Sequence, residues 1–317
     1  MRVSRSSRIV RHVWSTVPLA VAFLVAACGA PVPSAPPKPD GLIYEDTRRL
    51  VRLVDEAAAL IAQRGAAAFA EFGRPDSPWR RSSAYLFVYE PSGICAWHGG
   101  NAQLIGRNLL DFRDALGKPV VQLITEIARQ SDRDASEWIF YLWEDGTDFL
   151  PTWKSSYVRK AIAPDGTVYL VGAGSSLVKM EKVFVQRQVD AAARLLREEG
   201  REAAFRELRK AGSRFYFLET FVFVLDGQGR SVVDPAFPTM EHRDMANFRD
   251  AVGRPVLQEV MAKLETSDAA WVQFLWPKPG RRLPSRKLMY VRKVEAGGQT
   301  FLIGSDFFPA TPIWMRG

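Results

Sequence analysis

Two stretches carry the side chains best suited to gripping a small molecule, and each occurs twice. WIFYLW places Trp138, Tyr141 and Trp143 on one short run, and WVQFLW places Trp271, Phe274 and Trp276 on another. Lys154 and Tyr157 follow in TWKSSYVRK, and Lys287 and Tyr290 in SRKLMYVRK. A lysine aimed into a dry, apolar pocket gives a strong charge-assisted hydrogen bond to a carboxylate, and a tyrosine hydroxyl can add a second donor. The plainer reading is a lysine whose stem lies on apolar neighbours while its ammonium stays in water. The aromatics are open in the same way. They suit the wall of a ligand pocket, a cage for a quaternary amine, or an ordinary core.

Strand periodicity limits these options. On a strand, Trp138 and Phe140 face one way and Tyr141 and Trp143 the other, so at most one face lines a pocket. Arg159 and Arg292 share faces with Tyr157 and Tyr290. Lys154 falls opposite Tyr157 in a regular strand, so the two meet only if the lysine precedes the strand proper.

Catalytic constellations are missing. GAGSSL at Gly172 suits a phosphate-binding turn only superficially, since its third glycine is absent and the second copy reads GSDFFP. Cys95 and His98 stand three apart on an expected strand, so they should face opposite ways and share no metal; His12 and His242 are the remaining histidines. There is neither a GxSxG elbow nor a helical histidine pair. The expectation is a protein that is not an enzyme, with no cofactor and no metal.

The elements that position these residues are written twice. FRDALGKPVVQ from Phe112 and FRDAVGRPVLQ from Phe248 agree at eight of eleven positions, 136 residues apart. Upstream, LFVYEPSG meets VFVLDGQG without a gap; downstream the offset slips to 133 as Trp138, Trp143 and Tyr157 meet Trp271, Trp276 and Tyr290. Each copy opens with helical spacing, Leu50, Val54, Ala58 and Ile61 in one and Val185, Val189, Ala192 and Leu196 in the other. A hairpin, a turn and short helix, a second hairpin and a closing strand follow. Asp114 and Gly117 suit that turn and Pro119 the first helical position, so the repeated motif reads as scaffold. The charged run from Lys179 to Lys210, laced with Glu181, Glu198, Glu199, Glu202 and Glu207, reads as a solvated, salt-bridged helix joining the copies.

At the N-terminus, Arg2, Arg5, Arg8 and Arg11 precede an apolar run from Val13 to Ala27, shorter than the roughly 20 residues of a membrane span. It ends in Val25-Ala26-Ala27-Cys28, a sequence similar to the bacterial lipobox, whose cysteine becomes the acylated first residue. A lipid anchor on Cys28 would hold the protein on a membrane without crossing it. Gly29 favours the outer over the inner membrane. PVPSAPPKPD is an extended tether of about 3.1 Å per residue. Removal of the signal leaves length for two ordinary domains, and Cys95 as the only other cysteine, so no internal disulfide forms. The formal charge of +8 includes the four signal arginines, which weakens any case for nucleic acid.

The segments IGRNLLDFRDALGKPV, EWIFYLW, TWKSSYVRK and LVGAGSSL, with DMANFRDAVGRPV, AWVQFLWPKPGRRLPSRKLMYVRK and FLIGSDFF, together resemble the single Cache type 2 modules, PAS-like extracytoplasmic sensors of chemoreceptors and sensor kinases. The resemblance implies an α+β fold of two tandem modules, each a long N-terminal helix on an antiparallel sheet of about five strands. The expected bounds are 1–27 for the signal, 28–42 for the tether, and 43–178 and 179–317 for the modules. It further implies a small-molecule ligand, foremost a short carboxylate, held by Lys154, Tyr157, Trp138, Tyr141 and Trp143, or by Lys287, Tyr290, Trp271 and Trp276. The bound state would pass to a separate membrane partner such as a sensor kinase or chemoreceptor. The competing reading is an envelope scaffold or adaptor lipoprotein that uses the same folds for protein contacts. Two departures mark the second copy: His242 replaces Gly106, and Asp306 replaces Gly174.

Overall fold

The structure is a computed structural model that describes residues 41–81, 84–144, 150–218, 220–278 and 282–309. The expected signal segment, Cys28 and nearly all of the tether lie outside these residues.

Helix α1 (Glu45–Arg64) starts on Glu45 and Asp46 and ends on Arg64, the signs that the helix dipole favours at each end. Leu50, Val51, Val54, Ala57, Ala58 and Ile61 form its buried stripe, and the short α2 (Ala68–Phe72) continues it after a turn. Strands β1 (Arg80–Arg81), β2 (Ala84–Tyr89), β3 (Cys95–His98), β4 (Ser136–Trp143), β5 (Thr152–Ile162) and β6 (Val168–Ser175) make one antiparallel sheet. Its order is β1-β2-β6-β5-β4, with β3 also paired to β2. Helix α3 (Val120–Glu126) covers the face opposite α1.

The second copy repeats this arrangement. Helix α4 (Lys182–Leu208) precedes β7 (Tyr216–Phe217), β8 (Thr220–Asp226), β9 (Ser231–Val233), β10 (Ala269–Pro277), β11 (Pro284–Ala296) and β12 (Gln299–Phe307), with α5 (Val256–Leu264) before β10. The sheet runs β10-β11-β12-β8-β7, with β9 paired to β8. Each sheet thus has six strands where about five were expected, and the extra one is the two-residue β1 or β7. Helix α4 is broken at Gly200, whose φ of 77° and ψ of 172° no helix contains.

Both faces of each sheet are buried, so strand alternation sorts side chains into two cores. Leu86, Val88, Trp138, Phe140, Tyr157 and Val171 pack beneath α1 and α4. Phe87, Tyr89, Ile139, Tyr141, Val158 and Leu170 pack beneath α3.

The repeated motif is scaffold in both copies. Asp114 accepts the backbone N–H groups of Leu116 and Lys118 on one carboxylate oxygen and that of Leu142 on the other, at 2.8–2.9 Å. Asp250 accepts those of Val252, Arg254 and Leu275 in the same way. Gly117 and Gly253 take φ of 80° and 84°, where a side chain is strained. Pro119 sits at the cap of α3, one position before the place expected for it. His242 adopts φ 69° where Gly106 has 81°, so that departure changes the side chain and keeps the backbone path.

The copies share a buried core. Helix α4 is not merely the solvated connector its charges suggest: Phe184, fully buried, meets Trp138 at 4.6 Å and Phe140 at 5.1 Å between ring centroids. The buried Glu181 carboxylate accepts the N–H groups of Ile43 and Tyr44 at 2.9 and 3.0 Å, tying the start of α1 to the start of α4. Lys118, also fully buried, donates to the carbonyls of Phe140 (2.6 Å) and Tyr216 (2.7 Å), one in each copy. Burial pushes its ammonium down to about 8.

Candidate functional site

Each sheet carries a cavity on its α3 or α5 face. The first, of about 60 Å³, is lined by Tyr85, Phe87, Tyr89, Phe112, Tyr141 and Trp143, with Lys154 and His98. Strand β5 delivers Lys154, which is buried and lies 3.7 Å from the centroid of the Tyr85 ring and 5.5 Å from that of Trp143. The Tyr141 hydroxyl is 2.9 Å from the Ser156 hydroxyl. Burial holds both the Tyr89 and Tyr141 phenols above their ordinary range, so they remain neutral donors.

His98 accepts the N–H of Asn101 on Nδ1 at 2.9 Å, which leaves Nε2 to carry the proton. Burial, helped by the charge of Lys154, pushes its pKa down to about 4. It is therefore a neutral donor at neutral pH. Among the described residues lining this cavity there is no carboxylate.

Gly174 shapes the space around the lysine. A Cβ at that position would stand 2.2 Å from the Ser156 hydroxyl and 2.5 Å from Cε of Lys154. Only glycine lets the lysine stem cross β6 in this position.

The second cavity, of about 180 Å³, is larger. Lys287 and Trp276 line it, with Phe221, Phe248, Asp234 and Asp306. Asp306 takes the place of Gly174, and its carboxylate pairs with the Lys287 ammonium at 2.7 Å.

The sequence-derived candidates thus divide between two faces. Tyr141, Trp143 and Lys154 come together in the first cavity, and Trp276 and Lys287 in the second. Trp138, Tyr157, Trp271 and Tyr290 lie on the opposite face, beneath α1 and α4, because the side-chain period of a strand is two. There Trp138 packs on Tyr157 at 5.3 Å, and Trp271 on Tyr290 at 5.1 Å. Arg159 and Arg292 share that side and fasten the sheets to the helices, through Asp55 of α1 at 2.8 Å and Asp190 of α4 at 2.7 Å.

Cys95 and His98 do not face apart as expected. A bulge in the β2–β3 pairing sets Tyr89 opposite Cys95 and Phe87 opposite His98, which puts both residues on the cavity side. Among the described residues, no group of three or more His, Cys, Asp or Glu side chains could hold a metal. Sequence reasoning missed His98, Tyr85, Tyr89 and Asp234 as lining residues. The matched alignment of the two copies, which sets His98 against Asp234, was the available signal.

The family model described as Single Cache domain 2 matches residues 56–174 and again 178–306. The methyl-accepting chemotaxis protein McpP of Pseudomonas putida is 28% identical over 120 residues, 38% of this chain and 21% of that protein, so the chain spans about a fifth of that relative's length. A periplasmic sensor domain of a chemotaxis protein is 26% identical, covering 39% of this chain and 86% of its own, with a TM-score of 0.30. A Cache chemosensory domain solved for carboxylic acid recognition is 23% identical, covering 39% and 90%, with a TM-score of 0.34. No helix among the described residues is long and apolar enough to cross a membrane.

Proposed function

Since the chain belongs to the Single Cache domain 2 family in both of its halves, a family of extracytoplasmic ligand-binding sensor domains and not of catalysts, we propose that its first module binds a short carboxylate. The observation that carries this is the donor set of the first cavity: the buried Lys154 ammonium with the Tyr85, Tyr89 and Tyr141 phenols and neutral His98 in an aromatic enclosure. In such a dry site each charge-assisted bond to a carboxylate is strengthened, and the rings cover the ligand's alkyl end. A cavity of about 60 Å³ favours a short ligand over a long one.

We take the modules to run over 43–178 and 179–317, held outside the cytoplasm by a lipid on Cys28 in the outer membrane, and the partner to be a membrane signalling protein such as a sensor kinase or chemoreceptor. Strand β4 supplies the route between the modules. Tyr141 and Trp143 line the cavity, while Trp138 and Phe140 on its other face pack on Phe184 of α4. A ligand that shifts β4 therefore presses on the second module.

The test is a thermal-shift series with acetate, propionate and pyruvate on the full chain purified from membranes. The transition of the wild type should rise and that of Lys154→Met should not. No shift in a folded wild type, or a shift that survives Lys154→Met, would refute the reading. Loss of membrane association in Cys28→Ala tests the anchor separately.

A further inference from the structure

Aligned position by position, the two cavities have opposite chemistry. Lys154 corresponds to Lys287 and Trp143 to Trp276, but most of the donors in the first cavity have been exchanged in the second. Tyr85, Tyr89 and Tyr141 become Phe221, Leu225 and Phe274, which removes three hydroxyls. His98 becomes Asp234 and Gly174 becomes Asp306, which adds two carboxylates. The registers support the match: Val88 pairs with Trp97 and Val224 with Val233, while Ser156 pairs with Gly174 and Met289 with Asp306.

From this exchange we propose that the second cavity is a separate binding site for a small organic cation, a ligand whose recognised group is an ammonium. Among the described residues of its lining, two carboxylates and one ammonium leave one negative charge in excess, and that ammonium, Lys287, is already paired with Asp306 at 2.7 Å. Among the described lining residues, a carboxylate ligand would meet two like charges and no cation other than the paired Lys287. An ammonium would meet Asp234 and Asp306 and aromatic side chains, whose rings attract cations. Phe248 and Trp276, with centroids 5.1 Å apart, and Phe221 supply such rings. The volume of about 180 Å³ leaves room for alkyl substituents on the nitrogen.

The state of the half-buried Asp306 carboxyl agrees with this. Burial raises its pKa, and the attraction of Lys287 only partly opposes that rise, so a second cation would complete its compensation. The charge of Asp306 also contributes to holding Asp234 above the usual carboxylate range, after burial itself.

The experiment is calorimetric titration of the full chain with propylamine, cationic at pH 7, and with propionate, which has the same alkyl group and the opposite charge. Propylamine should bind the wild type, and Asp306→Asn and Asp234→Asn, both near-isosteric, should each weaken it at least tenfold. Asp306→Gly, which installs the first module's residue, should lose propylamine and gain a propionate site. Absence of propylamine binding to the folded wild type, unchanged affinity in both asparagine variants, or wild-type propionate binding that Asp306→Asn abolishes would each overturn the proposal. The propylamine arm is independent of whether the first module binds propionate, so the two readings fail separately.

Discussion

Replacing Asp114 by asparagine is expected to weaken the first module through three bonds read directly from its turn. The carboxylate is buried and accepts Leu116 N–H and Lys118 N–H on Oδ1 and Leu142 N–H on Oδ2, at 2.8–2.9 Å. An asparagine can keep the first two with its oxygen, but its NH2 then faces the Leu142 N–H, donor against donor. The variant loses one charge-assisted bond, strands a backbone donor and weakens the other two bonds, a cost of about 2–3 kcal/mol. With a urea slope of about 2–3 kcal/mol/M for a chain of this size, the midpoint should fall by roughly 1 M. The assay is urea unfolding at pH 7 followed by tryptophan fluorescence, with exposed Asp111→Asn as the control that leaves the midpoint in place. Equal midpoints for Asp114→Asn and wild type would refute the view that this repeated motif is a load on the fold.

Three further outcomes follow from buried groups. Because His98 is held at about 4 against an ordinary 6.5, the unfolded chain takes up a proton between those pH values that the folded chain refuses. Stability from this group is full above pH 6.5 and drains as pH falls towards 4, on the order of 3 kcal/mol; unfolding midpoints of wild type and His98→Gln should diverge in slope over that window, and parallel curves would contradict it. Burial pushes the Cys95 thiol up to about 11, so iodoacetamide at pH 8 should label it only in urea; rapid labelling of the native chain would be the contrary result. Phe184→Ala removes one of the rings that join the modules, beside the Phe140–Phe217 contact, and should cost about 3–5 kcal/mol, splitting one calorimetric transition into two. A single unshifted transition would show that the shared core does not couple them.

The fold was legible in the sequence because duplication doubles each signal. Helical spacing at Leu50–Ile61, the Asp114-to-Pro119 turn and the paired hairpins all appear where their patterns place them. The site was legible only by half. Periodicity separated Trp138 from Trp143 correctly, yet it could not say which face was the cavity, since both faces of the sheet are apolar and buried. His98 stayed hidden because one extra residue in β3 flips its face, and a bulge leaves no mark in residue type. Glu181 looked like a surface charge because its partners, the N–H groups of Ile43 and Tyr44, are backbone groups distant in sequence. By contrast, the Gly174-to-Asp306 exchange was visible from alignment alone, and the Lys287 ion pair shows what it does.

The most direct measurement is a crystal structure of the full chain grown with propionate. A carboxylate is expected in the first cavity, within about 3 Å of Lys154 Nζ, its alkyl end against Phe112 and Trp143. Propionate bound only elsewhere, or a first cavity filled by water at saturating propionate, would contradict it.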